Sequence, residues 1–259
     1  MAAGEDRVPD ATVDGANVYY EVAGVGVPLV LLHGIGSNSR SWRRQLAALS
    51  GDFKVIAWDA PGYGRSSDPV GEPSMRFYAD RLRGLLDGLG LSSIFLLGHS
   101  TGGMMVQEFY RAYRSYVRAL ILADTRYAGS SSNLEERLRA IRTMTPAQLA
   151  ADRAPKLLTA SAPQAVIREA ISIMSEVRPL GYEFAAKALA GADTRDVLGD
   201  LHVPTLLIWG AKDEITPLWD EIPAGARLEV IQDAGHLCYA EQPERFNAIL
   251  RDFLSPLLL

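Results

Sequence analysis

Short apolar runs recur along the chain without the alternation of polar and apolar residues that marks a half-buried strand. Continuous runs of this length are typical of strands covered on both faces, as in a parallel sheet. They lie at 28–33, 54–58, 94–97, 119–123 and 205–209, and a last strand is expected near 227–231. Val13 and the run 18–22 flank the turn sequence Asp14-Gly15-Ala16-Asn17, which predicts an antiparallel hairpin at one edge of the sheet.

Amphipathic segments separate these strands. In the segment 78–89, apolar residues recur at helical spacing, and the charged residues point largely away from them. Strands that alternate with helices form right-handed βαβ units. The sequence therefore predicts an α/β fold with a mostly parallel sheet and flanking helices.

The alternation breaks once, between residues 126 and 200, where no strand-like run occurs. Four helix-like pieces take its place, at 134–143, 146–158, 163–177 and 179–190. We interpret 126–200 as a helical cap inserted after the sixth strand, over the edge of the sheet where α/β proteins bind ligands. Residues 1–125 and 201–259 would form the core domain.

Composition narrows the class of protein. The 259 residues are 48% hydrophobic, enough for a sizeable core, and the net charge of −5 argues against binding nucleic acid. We expect a cytoplasmic protein that does not enter a membrane, because neither a signal peptide nor a membrane-spanning run is apparent. The one cysteine, Cys238, excludes an internal disulfide, and no spacing of Cys and His suggests a metal site.

The stretch Gly98–Gly102 has the pattern Gly-x-Ser-x-Gly between an apolar run and a helix-like segment. A serine at the tip of a tight strand-to-helix turn crowds the residues two before and two after it, so only very small residues fit there, and Gly98 and Gly102 meet this need. Such a turn exposes the hydroxyl at a helix N-terminus, where backbone N–H groups favour negative charge. We therefore predict that Ser100 is a nucleophile.

A serine nucleophile needs a base, and the chain has four histidines. His99 should point away from its neighbour, His33 should brace a turn, and His202 lies in a polar approach to a strand. His236, in the loop between the last strand and the C-terminal helix, is our predicted base.

The base needs a carboxylate to orient it, and two residues qualify. Asp213 and Asp124 each follow the end of a parallel strand, and both lie between Ser100 and His236 in the sequence. Chain order does not separate them. We favour Asp213 and keep Asp124 as the alternative.

An oxyanion would need donors, which the backbone N–H groups of Ile35 and Thr101 are expected to supply. Ile35 lies in the stretch His33-Gly34-Ile35-Gly36, just after the third strand. Candidate pocket residues are the aromatic Trp42, Tyr127 and Trp219. Arg126 follows a strand end and is a candidate partner for a substrate carboxylate.

These motifs together resemble the α/β-hydrolase superfamily over essentially the whole chain. The resemblance rests on His33-Gly34-x-Gly36, Asp59-x-Pro61-Gly62-x-Gly64, Gly98-x-Ser100-x-Gly102, Gly210-x-x-Asp213 and Gly235-His236. More narrowly, 181–198 and 235–246 are similar to the corresponding segments of 3-oxoadipate enol-lactonases, although carboxylesterases and carbon–carbon bond hydrolases share parts of them. One departure is the loop after Asp213, in which only Leu218–Glu221 stand where the family has a fuller helix.

The expected function is hydrolysis of a carboxylic ester or lactone through an acyl-enzyme, on a small-molecule substrate and without a cofactor. The alternative within enzymes is carbon–carbon hydrolysis of a diketone of the meta-cleavage type. A further alternative is a receptor-like protein that binds ligand with little turnover. The sequence leaves the oligomeric state open.

Overall fold

The computed structural model describes residues 10–258, which form an eight-stranded sheet in the order β1-β2-β4-β3-β5-β6-β7-β8. The strands are β1 (Asp10–Val13), β2 (Ala16–Ala23), β3 (Pro28–Leu32), β4 (Lys54–Trp58), β5 (Ile94–His99), β6 (Val117–Ala123), β7 (Thr205–Gly210) and β8 (Arg227–Ile231). From β4 through β8 in this order all neighbours run parallel. The mostly parallel sheet predicted from the apolar runs is confirmed.

The first two strands form the predicted hairpin at one edge. β1 pairs with β2, and β2 pairs with β4, both antiparallel. The turn between them places Asp14 at φ 47° and Gly15 at φ 78°. Two successive positive φ values define the turn type whose twist matches paired strands, and Asp and Gly tolerate it best.

Helices cover both faces of the sheet, which explains why the central strands β3 to β7 are mostly apolar and buried along their length. The helices are α1 (Arg43–Leu49), α2 (Met75–Gly88), α3 (Thr101–Tyr113), α4 (Leu134–Thr143), α5 (Pro146–Arg153), α6 (Gln164–Met174), α7 (Pro179–Ala190), α8 (Arg195–Leu198), α9 (Cys238–Glu241) and α10 (Pro243–Leu254). Along β3, Val30 and Leu32 pack in the cluster that contains α2 and α3, while Leu29 and Leu31 pack in the one that contains α1 and α10.

Helices α4 to α8 lie between β6 and β7, where the sequence predicted helices and no strand. The predicted pieces at 134–143 and 179–190 match α4 and α7. The helix predicted over 146–158 is shorter in the structure: α5 ends at Arg153, and a short 3₁₀ helix over Ala154–Leu157 follows it. Pro155 lacks the N–H that an α-helix would need there. We call residues 124–204 the β6–β7 segment.

Close backbone contacts hold this segment against the core. A side chain on Gly62 would meet the Cα of Gly181 at 2.6 Å, so the two glycines allow the chains to touch. The guanidinium of Arg178 donates to the carbonyl oxygens of Gly64 and Ser66, each at 2.6 Å. Within residues 10–258, no helix has the length and apolar character needed to span a membrane.

Candidate active site

Ser100 lies in the turn between β5 and α3, in a backbone conformation that is rare for serine, with φ 54° and ψ −122°. The turn is packed against neighbouring backbone. A Cβ on Gly98 would come within 2.3 Å of the Gly102 carbonyl oxygen, and one on Gly102 within 2.4 Å of the Leu32 carbonyl oxygen. Any larger residue would displace backbone, so the two glycines are needed to bring the serine to this point.

His236 lies within hydrogen-bonding distance of that serine, with 3.0 Å between its Nε2 and the Ser100 Oγ. Its loop, between β8 and α9, is fixed by Glu241, which accepts the N–H of Gly235 at 2.7 Å and the N–H of Thr159 at 2.9 Å. Glu241 thus ties the histidine loop to the β6–β7 segment. The His236 side chain is 4% exposed.

Asp213 lies on the other side of the imidazole, with 2.8 Å between its Oδ2 and the His236 Nδ1. Its side chain is fully buried. The other oxygen, Oδ1, accepts the backbone N–H groups of Ile215 at 2.8 Å and Thr216 at 3.0 Å. Burial alone would raise the pKa of this carboxyl, but the donors on both oxygens outweigh it and lower the pKa, so Asp213 is held as a carboxylate.

Asp124, the other candidate acid, makes no hydrogen bond to His236. It lies at the end of β6 with φ 42° and is fully buried. Its Oδ1 accepts the N–H of Gly210 at 2.8 Å, which joins the ends of β6 and β7. Burial raises the pKa of this carboxyl well above its usual range. Of the two candidates, the structure therefore brings only Asp213 to the histidine.

The three side chains form one line of hydrogen bonds from Asp213 through His236 to Ser100. An ionised carboxylate can only accept, so Nδ1 of His236 carries the proton and donates it. Nε2 is then unprotonated and faces the serine hydroxyl. This arrangement can take a proton from Ser100 as the oxygen attacks an electrophile.

The predicted donors, Ile35 and Thr101, line the same cavity as Ser100. A Cβ on the adjacent Gly34 would lie 3.0 Å from the Ser100 Cβ, which measures how close the two loops come. Within residues 10–258, neither N–H group donates to another group. His33 fixes the loop, because its ring bonds the Gly34 carbonyl oxygen at 2.9 Å and accepts the Ala60 N–H at 3.0 Å.

A cavity of about 270 Å³ opens above the serine. The core supplies the loops just described, and the β6–β7 segment supplies most of the opposite wall. Residues from that segment on the cavity include Arg137, Arg153, Val166, Ile173, Met174, Tyr182 and Leu189. Sequence reasoning missed all of these, because the helical pattern gives their spacing but not which side chains face Ser100.

The four predicted pocket residues lie in three different places. Arg126 lines the cavity and donates to the carbonyl oxygen of Ile215. Trp42 does not reach it. The Trp42 side chain is fully buried and packs against Tyr239, with ring centroids 4.4 Å apart. It is therefore a core residue and not a pocket residue.

Tyr127 and Trp219 lie outside the main cavity and line a shallower one of about 230 Å³. Trp219 anchors the loop after Asp213. Its ring packs on those of Trp209 and Tyr127 at 5.6 and 5.4 Å, and its Nε1 donates to the Thr125 carbonyl oxygen at 2.8 Å. This buried tryptophan thus holds the loop against the end of β6.

His99 and Cys238 are two further buried residues close to His236. Burial lowers the pKa of His99 to about 3, so the ring is neutral, and its Nε2–H donates to the His236 carbonyl oxygen at 2.7 Å. Cys238 is a buried free thiol. Residues 10–258 contain no group of three or more His, Cys, Asp or Glu side chains arranged to hold a metal ion.

The chain belongs to the α/β-hydrolase family, because the model of the alpha/beta hydrolase fold matches residues 27–243. It is 30% identical to 3-oxoadipate enol-lactonase 2 of Acinetobacter baylyi, over 85% of each chain. It is 26% identical to a 2-hydroxy-6-oxononadienedioate/2-hydroxy-6-oxononatrienedioate hydrolase of Dechloromonas aromatica, over 96% of this chain and 94% of that one.

Solved structures agree with this assignment. A thermophilic esterase from Thermogutta terrifontis, solved with malate bound, superposes with a TM-score of 0.89 at 32% identity. The match covers 96% of this chain and 98% of the esterase. The chain is therefore a hydrolase, and the resemblance to esterases and enol-lactonases is confirmed.

Proposed function

We propose that this protein is a serine hydrolase that cleaves a carboxylic ester or lactone through an acyl-enzyme. The observation that carries the proposal is the line of hydrogen bonds at 3.0 Å from Ser100 to His236 and 2.8 Å from His236 to Asp213. The similarity to an esterase and an enol-lactonase supports the same class of reaction.

In the first half of the reaction, Nε2 of His236 removes the proton from Ser100 as Oγ attacks the substrate carbonyl carbon. The resulting oxyanion accepts hydrogen bonds from the N–H groups of Ile35 and Thr101. Each such donor contributes roughly 10²–10³ in rate. Asp213 stabilises the imidazolium, which then gives its proton to the departing alkoxide.

In the second half, His236 removes a proton from water, and the hydroxide attacks the ester carbon of the acyl-enzyme. Collapse of this second intermediate releases the carboxylic acid and returns the proton to Ser100. For a lactone, the alkoxide and the acyl group belong to one molecule, so the product leaves only after this step.

We further propose that helices α4 to α8 act as a cap that shapes the substrate cavity. Met174, Tyr182 and Leu189 from this segment face the same space as Ser100. These three side chains favour substrates with an apolar portion next to the scissile bond, whereas Arg137 and Arg153 add positive charge to the same wall.

Carbon–carbon hydrolysis is the second candidate, because one relative carries the name of such a hydrolase. It would use the same three side chains on a diketone. A panel of p-nitrophenyl esters, lactones and ring-fission diketones separates the two. A kcat/KM at least tenfold higher on the diketones than on every ester and lactone would favour the second candidate.

The same assay tests the chemistry. Ser100→Ala should lower kcat for a p-nitrophenyl ester by about 10⁴-fold or more, because the nucleophile is lost. Ser37, a second serine on the cavity, provides the matched control, and Ser37→Ala should stay within about threefold of wild type. A fluorophosphonate should label Ser100, as read by peptide mass spectrometry. Esterase activity retained in Ser100→Ala would contradict the proposal.

Receptor-like binding is distinguished by turnover. If the protein binds an ester or lactone saturably and mass spectrometry detects no product, the proposed hydrolysis is wrong even though the geometry is that of a hydrolase.

A further inference from the structure

Asp124 is a buried carboxyl group that the mechanism above does not use. Its position is closely specified, since its backbone N–H donates to the Ile208 carbonyl oxygen at 3.0 Å and the next residue, Thr125, bonds the Ser100 carbonyl oxygen at 2.6 Å. Oδ1 accepts the Gly210 N–H, but Oδ2 has no N–H or O–H donor within the part of the chain that is described, and only the weak S–H donor of Cys238 lies beside the carboxyl group. A buried, unpartnered polar oxygen calls for an explanation.

The groups that face Asp124 supply no positive charge next to it. They are the Asp213 carboxylate, which lies within hydrogen-bonding reach, the Cys238 thiol beside it, and the phenol of Tyr239. Burial and the neighbouring carboxyl groups raise the pKa of Cys238 well above its usual range, so this side chain stays a neutral thiol. Among residues 10–258, no Lys or Arg forms an ion pair with Asp124 or Asp213.

Two carboxylates in contact and out of water cannot both be ionised. Asp213 already receives three donors, from His236, Ile215 and Thr216, all of which favour its charged form. Asp124 receives one strong donor, the Gly210 N–H, and besides it only the weak S–H donor of Cys238, so its charged form is less well stabilised. The proton of the pair therefore belongs on Asp124.

We propose that Asp124 carries a proton on its unpartnered oxygen at neutral pH and donates it to Asp213, as a positioning residue for the acid that orients His236. This inference rests on the proposed function only in that Asp213 acts through His236. The opposite directions of the two pKa shifts, upward for Asp124 and downward for Asp213, agree with it.

The decisive variant is Asp124→Asn, because the amide keeps both hydrogen bonds of a neutral acid. Its oxygen can accept the Gly210 N–H, and its nitrogen can donate to Asp213. We expect kcat/KM within about threefold of wild type and an unchanged acid limb of the pH profile. If Asp124 were ionised, the same change would remove a negative charge near His236, and the limb would move to lower pH.

Asp124→Ala removes the donor as well as the acid. Asp213 then keeps more of its negative charge for the imidazolium, so the acid limb should move to higher pH, and kcat should fall about tenfold as the orientation of Asp213 loosens. Recovery of both values in Asp124→Asn separates positioning from simple packing. Thermal unfolding of both variants shows whether they fold.

Infrared difference spectroscopy tests whether Asp124 carries a proton, independently of any activity measurement. The C=O stretch of a protonated carboxyl group should be present at neutral pH in Ser100→Ala and absent from Ser100→Ala combined with Asp124→Asn. Absence of this band from Ser100→Ala, or an acid limb that moves to lower pH by half a unit or more in Asp124→Asn, would overturn the inference. If the band is present but Ser100→Ala retains activity, the proposed function fails and the protonated Asp124 stands.

Discussion

The turn that holds Ser100 and the loop that holds Asp213 fix their residues by different physical means. In the turn, backbone atoms leave no room for a side chain at Gly98 or Gly102. In the loop, most residues between 211 and 221 are at least partly exposed, and Asp213 is fixed by two backbone N–H groups and by the anchor at Trp219. One position depends on excluded volume and the other on hydrogen bonds.

This difference explains why the sequence predicts Ser100 as the single candidate nucleophile, whereas Asp213 is only the favoured one of two candidate acids. Excluded volume selects a residue type, so the glycines around Ser100 are visible as a pattern. Hydrogen bonds from backbone N–H groups select no residue type at the donor. The residues around Ile215 and Thr216 therefore do not decide between Asp213 and Asp124, and the preference for Asp213 rests on the stretch Gly210-x-x-Asp213.

The largest loss of activity should come from a substitution in the loop that holds Asp213. Asp213→Asn should lower kcat about 10³–10⁴-fold for an ester substrate, because an amide that donates to His236 imposes the wrong tautomer on the imidazole. Steady-state kinetics at neutral pH measure it. Asp220→Asn, an exposed carboxyl group on the same loop, is the matched control and should leave kcat unchanged. A loss of less than tenfold in Asp213→Asn would mean that Asp213 is not the acid.

A substitution in the turn that holds Ser100 should first be seen as a loss of folding stability. A methyl group on Gly98 would lie 2.3–2.7 Å from backbone atoms of Gly102 and Gly103. Gly98→Ala should lower the free energy of unfolding by about 3 kcal/mol, the upper range for overpacking, because backbone has to move. Urea denaturation measures it.

Gly51→Ala is the control for that experiment, since a Cβ there meets nothing within 4 Å. It should change the free energy of unfolding by less than about 0.5 kcal/mol, as surface substitutions usually do. Equal effects at the two glycines would contradict the argument from excluded volume.

Most of the fold could be predicted because burial on both faces leaves a clear signature in parallel strands. The runs at 94–97 and 119–123 correspond to β5 and β6, and the helices of the β6–β7 segment follow their periodicity. The cavity wall could not be predicted in the same way. Trp42 and Tyr182 are both buried aromatic residues, yet only Tyr182 lines the cavity, since that depends on how the helices pack and not on residue type.

The smallest effect concerns His99, which the turn keeps neutral. Its pKa falls from 6.5 to about 3 because burial, and then the charge of His236, disfavours the imidazolium. As the pH falls below 6.5, His99 therefore binds a proton in the unfolded chain but not in the native state. Acidification between pH 6.5 and about 3 thus lowers the stability of the native state. At pH 5 this loss is about 2 kcal/mol relative to neutral pH.

His99→Gln removes this titration and keeps a donor for the His236 carbonyl oxygen, which the imidazole Nε2–H bonds at 2.7 Å. The decrease in the free energy of unfolding between pH 7.5 and pH 5 should therefore be about 2 kcal/mol smaller in His99→Gln than in wild type, as measured by urea denaturation at each pH. His202→Gln is the control, because that ring is exposed beside Asp200 and not enclosed by the turn. An unchanged pH dependence in His99→Gln would show that the turn does not hold its histidine neutral by burial. The close packing seen at Gly98 and Gly102 would then not include the side chain of His99.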